Sequence, residues 1–486
     1  MKHGRALPAV RTVPFSGDRK GSAPLTWGQR TTWDDIQHFL PDVKPFFMLR
    51  GVIPVPPGLS VDDVLDRTAE LLGRHEALRT LFRTESGQPV QEVQAQGELQ
   101  VTLFETADNP VGNLVDLMGE QIARITGASF DHARELPLRM GVGLVQGVPV
   151  TVVLGLSRLA VDMQSASAVA TELFDLLNAA AHGEPEPPRR PARQPLDQAG
   201  FERSESGQAI SARSLGLLRR DLEVIPPTMF AAPVPTEGPR YWRGALESSA
   251  VPMALRILAD RYRASLSGVL FATTTALLNA LTGVDRCSVG VVYGNRSGPG
   301  LRHAVGSLSE TVLTTVPVRP GPFGAHVGAA TSAMMRAYLN ARFDTLDSAA
   351  LVAEVGGQRG ITFDLNCRFN DMWSWKLSDD DRSPEPIAPG DVRPACAYTV
   401  FNWQEPTDLD KITLFVDVTG TPERIQLQVL ADTHRVPATA IRAFLEGFER
   451  VLVELVEHEL DLSRLPRSAG ITEFHLGPSA DPQGTA

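Results

Sequence analysis

The sequence predicts an α+β protein with two lobes, each built from a β-sheet and flanking helices. The chain has 486 residues, of which 43% are hydrophobic, so it is long enough for two separate cores. Segments with apolar residues at helical spacing alternate with short strand-like segments, which is typical of sheets covered by helices. This alternation occurs on both sides of the stretch His182–Pro195, "HGEPEPPRRPARQP", whose prolines exclude helix and central strand.

Helices and strands of the first half follow from the period of the apolar residues. The segment Val61–Phe82 repeats apolar residues at helical spacing and predicts one helix. The strands Leu136–Val145 and Val148–Leu156 are joined by a turn signal, Gln146-Gly147, and are expected to be neighbours. The remaining predictions are strands at Val90–Val93 and Leu99–Phe104 and helices at Val111–Thr126 and Ala166–Ala181.

The second half repeats the pattern and sets the predicted domain organisation. We expect helices at Ala254–Arg263, Ser267–Leu281 and Ala438–Glu457, and strands at Arg286–Tyr293, Leu308–Pro317, Ile412–Val418 and Ile425–Leu430. The acidic, proline-rich segment Ser378–Asp391 predicts a surface loop. The predicted layout is a flexible leader at 1–23, an N-terminal lobe at 24–181, a linker at 182–197, a C-terminal lobe at 198–466 and a frayed tail at 467–486.

Charge and composition exclude several classes of partner. The net charge of −11 disfavours nucleic acid and anionic membranes. No apolar run reaches the length of a membrane span, and residues 1–21 lack the apolar segment of a secretory signal, so we expect a cytoplasmic monomer. The three cysteines are far apart, which favours core thiols over a zinc or redox site. No metal-spaced histidine pair, glycine-rich phosphate loop or G-x-S-x-G motif is present.

The turn after the strand Val148–Leu156 carries a candidate site. The sequence "SRLAVDM" places Ser157, Arg158 and Asp162 between this strand and the next helix. Strand ends that open into a crevice commonly hold catalytic groups. Arg158 cannot be a general base, because a guanidinium stays protonated in proteins.

Four stretches resemble the condensation domains of nonribosomal peptide synthetases. "LTWGQRTTW" resembles their first motif, with Thr26, Gln29, Arg30 and Trp33 at the recurring positions. "RHEALRTLF", residues 74–82, matches the second motif almost letter for letter. "SRLAVDM" takes the place of the active-site motif HHxxxDG, and "GNRSGPGLRHAVGSLSETVLTTVPV", residues 294–318, resembles the fifth motif. The resemblance covers about residues 24–459.

The resemblance implies a fold, partners and a substrate class. Condensation domains have two lobes like chloramphenicol acetyltransferase, each a mixed sheet flanked by helices, arranged as a V with a central tunnel. Peptidyl or acyl carrier proteins bring a donor thioester and an acceptor to opposite mouths of the tunnel. No cofactor is then bound by the protein itself, and the substrates are carried on the phosphopantetheine of a carrier protein.

The active-site motif departs from the family pattern. Ser157, Arg158 and Met163 replace the two histidines and the final glycine, so the family's catalytic histidine is absent. Asp162 is kept, and the resemblance implies a structural pair with Arg296. Arg158 and Ser157 remain the catalytic candidates.

Each candidate has an alternative role. Arg158 could bind an anionic group or merely fill the site, paired with Asp162 or Glu310. Ser157 could be a nucleophile, although no neighbour in sequence supplies a base. Glu310 and Met163 are expected to line the cleft, and so is His303, which could serve as a substitute base.

Two functions remain open at this point. The first is a free-standing condensation-type acyltransferase of nonribosomal peptide or hybrid polyketide biosynthesis that acts in trans on carrier-bound thioesters and forms an amide or ester without the usual histidine. The second is an inactive platform that recruits a carrier protein or a tailoring enzyme. The X domains of glycopeptide synthetases, which carry HRxxxDD and recruit cytochrome P450 enzymes, share the arginine and the aspartate. Docking of an acidic carrier would need basic residues such as "RRPARQ" or Arg219-Arg220.

Overall fold

The computed structural model describes residues 9–38, 47–106, 111–377, 387–406 and 412–478. The contacts between its residues divide the chain into two compact units. Unit 1 comprises Met1–Ser211 and Gly294–Ser309, and unit 2 comprises Ala212–Tyr293 and Glu310–Ala486. The segment Gly294–Ser309 therefore belongs to unit 1, although the strands before and after it belong to unit 2.

Unit 1 contains two sheets. The five-stranded sheet has the order β1-β6-β7-β8-β3, with β6 and β7 parallel and the other neighbours antiparallel, and the three-stranded sheet has the order β2-β5-β4. The strands are β1 Ala9–Ser16, β2 Gly21–Pro24, β3 Met48–Pro54, β4 Thr80–Glu85, β5 Gln88–Val93, β6 Gln96–Thr106, β7 Leu138–Val145 and β8 Val148–Ser157. The helices are α1 Trp27–His38, α2 Val61–Arg74, α3 Val111–Thr126, α4 Met163–His182 and α5 Pro195–Arg203.

Strand β8 and helix α4 position the candidate site. Strand β8 lies between β7 and β3 and is buried along nearly its whole length, which explains its continuous apolar sequence. Helix α4 buries Val169, Leu173 and Leu176 and ends in a left-handed residue, Gly183. The turn between β8 and α4 is thereby held at both ends by the core of unit 1.

Unit 2 is built on one seven-stranded sheet with the order β11-β10-β12-β14-β15-β9-β13. Strand β12 is parallel to both of its neighbours. The strands are β9 Tyr241–Ser248, β10 Arg286–Tyr293, β11 Glu310–Pro317, β12 Cys367–Asp371, β13 Val400–Trp403, β14 Leu414–Gly420 and β15 Ile425–Asp432. The helices are α6 Glu205–Val224, which begins in unit 1, α7 Ala250–Tyr262, α8 Leu266–Thr282, α9 Phe323–Leu339, α10 Thr345–Arg359, α11 Pro389–Ala395, α12 Ala438–Glu457 and α13 Leu465–Ala469.

Helix α8 forms the centre of the unit 2 core. It is apolar on nearly all sides, and its residues from Gly268 to Leu278 are buried, as expected for a helix enclosed by other elements. Within the described residues no single helix is long and apolar enough to cross a membrane, although α7 and α8, bent by 100° at their junction, meet that length and composition together. The thiols of Cys287 and Cys367 are buried in this core, and Cys396 is partly buried.

Several predicted elements agree with the structure in detail. Helices α3 and α12 and strand β10 have the predicted bounds, and β7 and β8 are paired as expected. The predicted helix Val61–Phe82 is shorter, because α2 ends at Arg74 and His75 is extended. A short 3₁₀ helix, Glu76–Arg79, and strand β4 follow. Most of the predicted acidic loop, residues 378–386, lies outside the described residues.

The segments predicted as a leader and a tail are largely ordered. Strand β1 pairs with β6 and buries Val13 and Phe15, and β2 pairs with β5. At the other end, Ile471 is fully buried, and the amide of Ala231 donates to the carbonyl of Leu476. Both segments are short and carry few apolar residues, so periodicity alone did not reveal them. Residues 1–8 and 479–486 lie outside the described residues.

The predicted linker has the expected local structure but does not mark the division between the units. Residues 183–194 contain neither helix nor strand, as the prolines predicted. They are nevertheless attached to unit 1: Arg189 pairs with Asp18, and the amide of Arg193 donates to Gly300. The units divide after Ser211, within α6. The proline-rich composition correctly predicted a segment without helix or strand. The boundary between the two units could not be predicted in this way, because it depends on which core each segment contacts.

Candidate functional site

The turn between β8 and α4 has one exposed side chain. Ser157 and residues 159–162 are buried, whereas Arg158 is exposed. The backbone of the turn is well satisfied, since the amides of Ala160 and Val161 both donate to the Ser157 carbonyl. The amide of Arg158 donates to Phe47 at the start of the neighbouring strand. The backbone of the turn is therefore held by hydrogen bonds, and Arg158 is its exposed residue.

Asp162 begins helix α4 and forms the predicted pair with Arg296. Its side chain accepts the amide of Ser165 at 2.8 Å, which is an N-cap. Arg296 donates through both terminal nitrogens, at 2.8 Å and 2.7 Å, so the pair is bidentate. Both side chains are buried, with 7% and 9% exposure. The pair predicted by the resemblance is present in this structure.

The carboxylate of Asp162 also holds the segment Gly294–Ser309. The amides of Leu308 and Ser309 donate to it at 3.1 Å and 3.0 Å, and the Ser309 hydroxyl donates at 3.0 Å. The amide of Asp162 itself donates to the carbonyl of Gly306. This segment carries the fifth-motif sequence, so Asp162 joins the two motif regions within unit 1.

Charge and hydrogen bonds keep Asp162 ionised despite its burial. Burial alone would raise the pKa of this carboxyl. The positive charge of Arg296 and the amide donors of Ser165 and Leu308 outweigh burial, and the net pKa lies below its usual range. The buried carboxylate is thus fully compensated, as a structural role requires.

Two residues of the first motif, Gly28 and Gln29, make structural contacts within unit 1. A side chain at Gly28 would meet the carbonyl oxygen of Ser307 at 2.3 Å from its Cβ, so only glycine allows this approach. Gln29 is buried, accepts the amide of Thr26 at 2.9 Å and donates to Gln91 at 3.1 Å. The first motif therefore has a structural role in this chain.

Ser157 is hydrogen-bonded to a histidine that the sequence analysis did not single out. The Ser157 Oγ lies 2.8 Å from Nε2 of His132 and accepts the amide of Leu159 at 3.2 Å. Among the described residues, His132 is the side chain that pairs with the Ser157 hydroxyl. Because a fully buried hydroxyl needs a partner, this contact explains how Ser157 is satisfied in the core.

His132 could have been inferred from strand order. It precedes β7 by six residues, and β7 is antiparallel to β8, so the chain before β7 lies beside the end of β8. The amide of Ser157 donates to the carbonyl of Pro137, which confirms this proximity. The relevant signal was the hairpin between β7 and β8 and not the spacing within "SRLAVDM".

The remaining predicted site residues lie in different environments. Met163 is exposed at the first turn of α4, and His303 is exposed in the segment Gly294–Ser309. Glu310 is buried at the start of β11, in unit 2. Their predicted placement along the cleft stays a prediction.

The second motif forms an ion-pair cluster between helices. Nε2 of His75 lies 2.8 Å from Glu172 on α4, and Arg74 donates to the same carboxylate at 3.0 Å. Burial opposes ionisation of Glu172, but these two partners lower its pKa. The most specific motif of the sequence thus ties α2 to α4 and contributes structure. Among the described residues, no group of three or more His, Cys, Asp or Glu side chains could hold a metal ion.

Comparisons with known proteins agree on one type of protein. No protein-family model matches the chain. It is 26% identical over 318 residues to a probable non-canonical nonribosomal peptide synthetase, CymA, of Salinispora arenicola, covering 62% of this chain and 4% of that protein. It is 26% identical over 419 residues to an isonitrile lipopeptide synthase of Mycobacterium tuberculosis, covering 80% of this chain and 16% of that protein. The chain thus spans a small part of these relatives.

Solved structures share the fold over nearly the whole chain. The SgcC5 protein of Streptomyces globisporus has a TM-score of 0.67 at 18% identity, covering 89% of this chain and 98% of that one. The condensation domain of the enacyloxin polyketide synthase has a TM-score of 0.68 at 17% identity, covering 91% of this chain and 84% of that one. The chain is condensation-like in sequence and in fold. The X domain in complex with OxyB from teicoplanin biosynthesis also matches this condensation-like protein, with a TM-score of 0.65, 15% identity and coverage of 93% and 97%.

Proposed function

We propose that this condensation-like protein is an acyltransferase of nonribosomal peptide or hybrid polyketide biosynthesis. It acts in trans on acyl thioesters carried by a carrier protein and forms an amide or an ester. The observation that carries the proposal is the intact turn at residues 157–162, held by Asp162 and Arg296, with Arg158 exposed on it. The ion pair holds the turn, and the turn presents a cationic side chain at the position where the resemblance places the active-site motif.

Arg158 has the chemistry for charge stabilisation. When an amine or alcohol attacks the thioester, a bond forms to the carbonyl carbon and negative charge develops on the carbonyl oxygen. The C–S bond then breaks, and the proton of the acceptor ends on the phosphopantetheine thiol. A guanidinium stays charged and can stabilise the oxyanion or bind the phosphate of the phosphopantetheine arm. Positioning of an already nucleophilic acceptor supplies much of the remaining rate.

Both amines and alcohols are suitable acceptors for a test. The SgcC5 structure contains an aryl diol, (R)-(−)-1-(2-naphthyl)-1,2-ethanediol, and the enacyloxin condensation domain mediates chain release. These neighbours support inclusion of alcohols beside amino acid amines. They are similar in fold and do not identify the acceptor of this chain.

The test is a reconstituted transfer assay. An acyl-loaded carrier protein is incubated with amine and alcohol acceptors, and product is measured by mass spectrometry. We expect Arg158→Ala to reduce kcat by at least 100-fold, as removal of an oxyanion donor does, and Arg158→Lys to retain part of the rate. Arg203→Ala is the matched control, because Arg203 is an exposed arginine of unit 1 outside the turn. Equal rates for Arg158→Ala and the wild type would exclude the proposed role of Arg158.

The alternative is an inactive platform for a carrier protein or tailoring enzyme. The X domain neighbour, which is seen in complex with OxyB, favours this second candidate. A platform would bind its partner in a pull-down or by calorimetry while giving no product with any loaded carrier. It would also keep its effect on product yield in the producing cell after Arg158→Ala. Turnover above the uncatalysed rate would exclude the platform.

A further inference from the structure

A cavity of about 250 Å³ lies in unit 1, beside the turn that carries Arg158. It is lined by helix α1, strand β4, the start of β3 with the preceding Phe47, and the loop Ser129–Ala133. Its described apolar walls are chiefly aromatic and include Trp33, Phe47, Phe82 and Phe130. One wall is the imidazole of His132, the partner of Ser157. The other polar lining residues are Gln37, Arg83, Thr84, Ser129 and Asp131.

We infer that this cavity binds an aryl group of the substrate, with one ring or two fused rings, between its aromatic side chains, and that His132 is one of the polar groups beside the bound ring. The inference rests on the proposed acyltransferase function and names the substrate class for it. The aryl group can belong to the acyl donor or to the acceptor, because both present the same ring chemistry.

The size of the cavity fits a ring system. A cavity of about 150 Å³ lined by apolar side chains binds benzene, so about 250 Å³ has room for a fused pair of rings. Aromatic walls favour a flat ligand, since offset and edge-to-face ring contacts stabilise it beyond the burial of apolar area. A flexible alkyl chain would not make these ring contacts and would lose more conformational freedom on binding.

The aromatic walls are held in place by their neighbours. The guanidinium of Arg139 lies 4.4 Å from the ring centre of Phe130, a cation–π contact that fixes one wall. The ring of His132 meets Phe82 edge to face at 6.1 Å and lies 5.7 Å from Phe130. Ser157 fixes the rotation of the His132 ring through Nε2. The site is therefore largely formed before a ligand enters.

The link to the turn connects binding with chemistry. Ser157 holds His132 at the cavity wall, and Arg158 follows Ser157 directly in sequence. A second histidine–hydroxyl pair, His326 with Thr275 at 2.9 Å, lies in the core of unit 2 and is not among the cavity's lining residues. A hydrogen bond between a histidine and a hydroxyl is thus not a site by itself. His132 differs from His326 because its ring lines a cavity.

The first experiment measures binding without any carrier protein. Isothermal titration calorimetry is carried out with 2-naphthol and with 1-octanol as probes. We expect saturable binding of 2-naphthol at least tenfold tighter than that of 1-octanol. Phe130→Ala should weaken 2-naphthol at least tenfold. The matched control is Phe201→Ala, because Arg193 lies 4.3 Å from that ring in the same kind of contact but away from the cavity.

A second pair of variants protects the test against folding defects. Ala133→Trp places a large side chain at the cavity, whereas Ala128→Trp does so on the same loop outside it. With equal melting temperatures, loss of 2-naphthol binding in Ala133→Trp alone supports the site. No saturable binding to the wild type, binding unaffected by both Phe130→Ala and Ala133→Trp, or equal affinity for 1-octanol would overturn the inference.

The second experiment separates the two sources of the aryl group. One reaction uses a 2-naphthoyl-loaded carrier with a small aliphatic amine, and the other uses an acetyl-loaded carrier with a 2-naphthyl alcohol. Phe130→Ala should raise KM at least tenfold in one of the two and leave the other unchanged. Unchanged KM in both would overturn the link to the substrate. Absence of turnover by the wild type would instead contradict the proposed function, because binding of 2-naphthol needs no turnover.

Discussion

Asp162 and Arg296 form a bidentate ion pair inside unit 1, although Arg296 follows a strand of unit 2 by only three residues. The pair joins the N-terminus of α4 to the segment Gly294–Ser309. Its surroundings add three donors from Leu308 and Ser309 to the same carboxylate.

Removal of this carboxylate should destabilise the protein strongly. Asp162→Ala leaves Arg296 buried without its partner, and breaking a buried pair costs about 3–5 kcal/mol. We expect a loss of several degrees in Tm by calorimetry. The control is Asp34→Ala, which breaks an exposed pair with Arg30 worth about 1 kcal/mol or less. A Tm for Asp162→Ala equal to that of the control variant would contradict the structural role.

Acid should act on the same pair. The pKa of Asp162 is lowered in the folded state, so its contribution to stability is present above the ordinary carboxyl pKa and is lost as the pH falls through the folded value. The Tm difference between the wild type and Asp162→Asn should therefore shrink as the pH falls below about 4. A difference that stays constant from neutral pH to pH 2 would show that the charge of Asp162 is not what stabilises the fold.

Arg158→Ala should leave the fold intact. The side chain of Arg158 is exposed, and exposed substitutions usually change stability by about 0.5 kcal/mol or less. We expect a Tm within about 2 °C of the wild type, measured by calorimetry, together with the loss of turnover described above. A large drop in Tm would mean that lost turnover reports unfolding and not chemistry.

Ser157→Ala should change the tautomer of His132. In the wild type the Ser157 Oγ and Nε2 of His132 share a hydrogen bond of 2.8 Å, so the hydroxyl biases which ring nitrogen carries the proton. Without the hydroxyl this constraint is gone, and the ring ¹⁵N shifts measured by NMR should change. Thr275→Ala, which alters the other histidine–hydroxyl pair, should leave these signals unchanged. Identical ¹⁵N shifts in Ser157→Ala would refute the assigned hydrogen bond.

His326 should make the protein sensitive to mild acid. Burial lowers its pKa from 6.5 to about 4, so the unfolded chain binds the proton first. The neutral, buried His326 therefore contributes roughly 3 kcal/mol to the free energy of unfolding above pH 6.5, and this contribution is lost as the pH falls to about 4. The Tm difference between the wild type and His326→Gln, measured by thermal scans, should narrow over that range. An unchanged difference from pH 7 to pH 4 would show that His326 does not titrate as its burial requires.

Periodicity predicted about half of the described helices and strands, because long apolar repeats report directly on burial. It gave no prediction for the long helices α1, α6, α9 and α10 or for seven strands, β1 to β4, β9, β12 and β13. It missed β1, in which only Val13 and Phe15 are buried, and it extended α2 beyond Arg74, where "EALR" forms a 3₁₀ helix. The resemblance supplied Asp162 and Arg296, since these letters survive in recognisable motifs. His132 was not predicted, because its partner is 25 residues away and strand pairing alone brings them together. The division of the units depends on packing that composition does not encode.

The segment Gly294–Ser309 makes unit 1 discontinuous in the chain, and this has a consequence for biosynthesis on the ribosome. Asp162 is synthesised 134 residues before Arg296. At about 5–20 residues per second, roughly 7–27 s pass before the partner of this carboxylate emerges. During that interval the nascent N-terminal half carries an uncompensated acid at the start of α4. The last folding step of unit 1 therefore waits until Ala212–Tyr293 of unit 2 and the segment Gly294–Ser309 have been made.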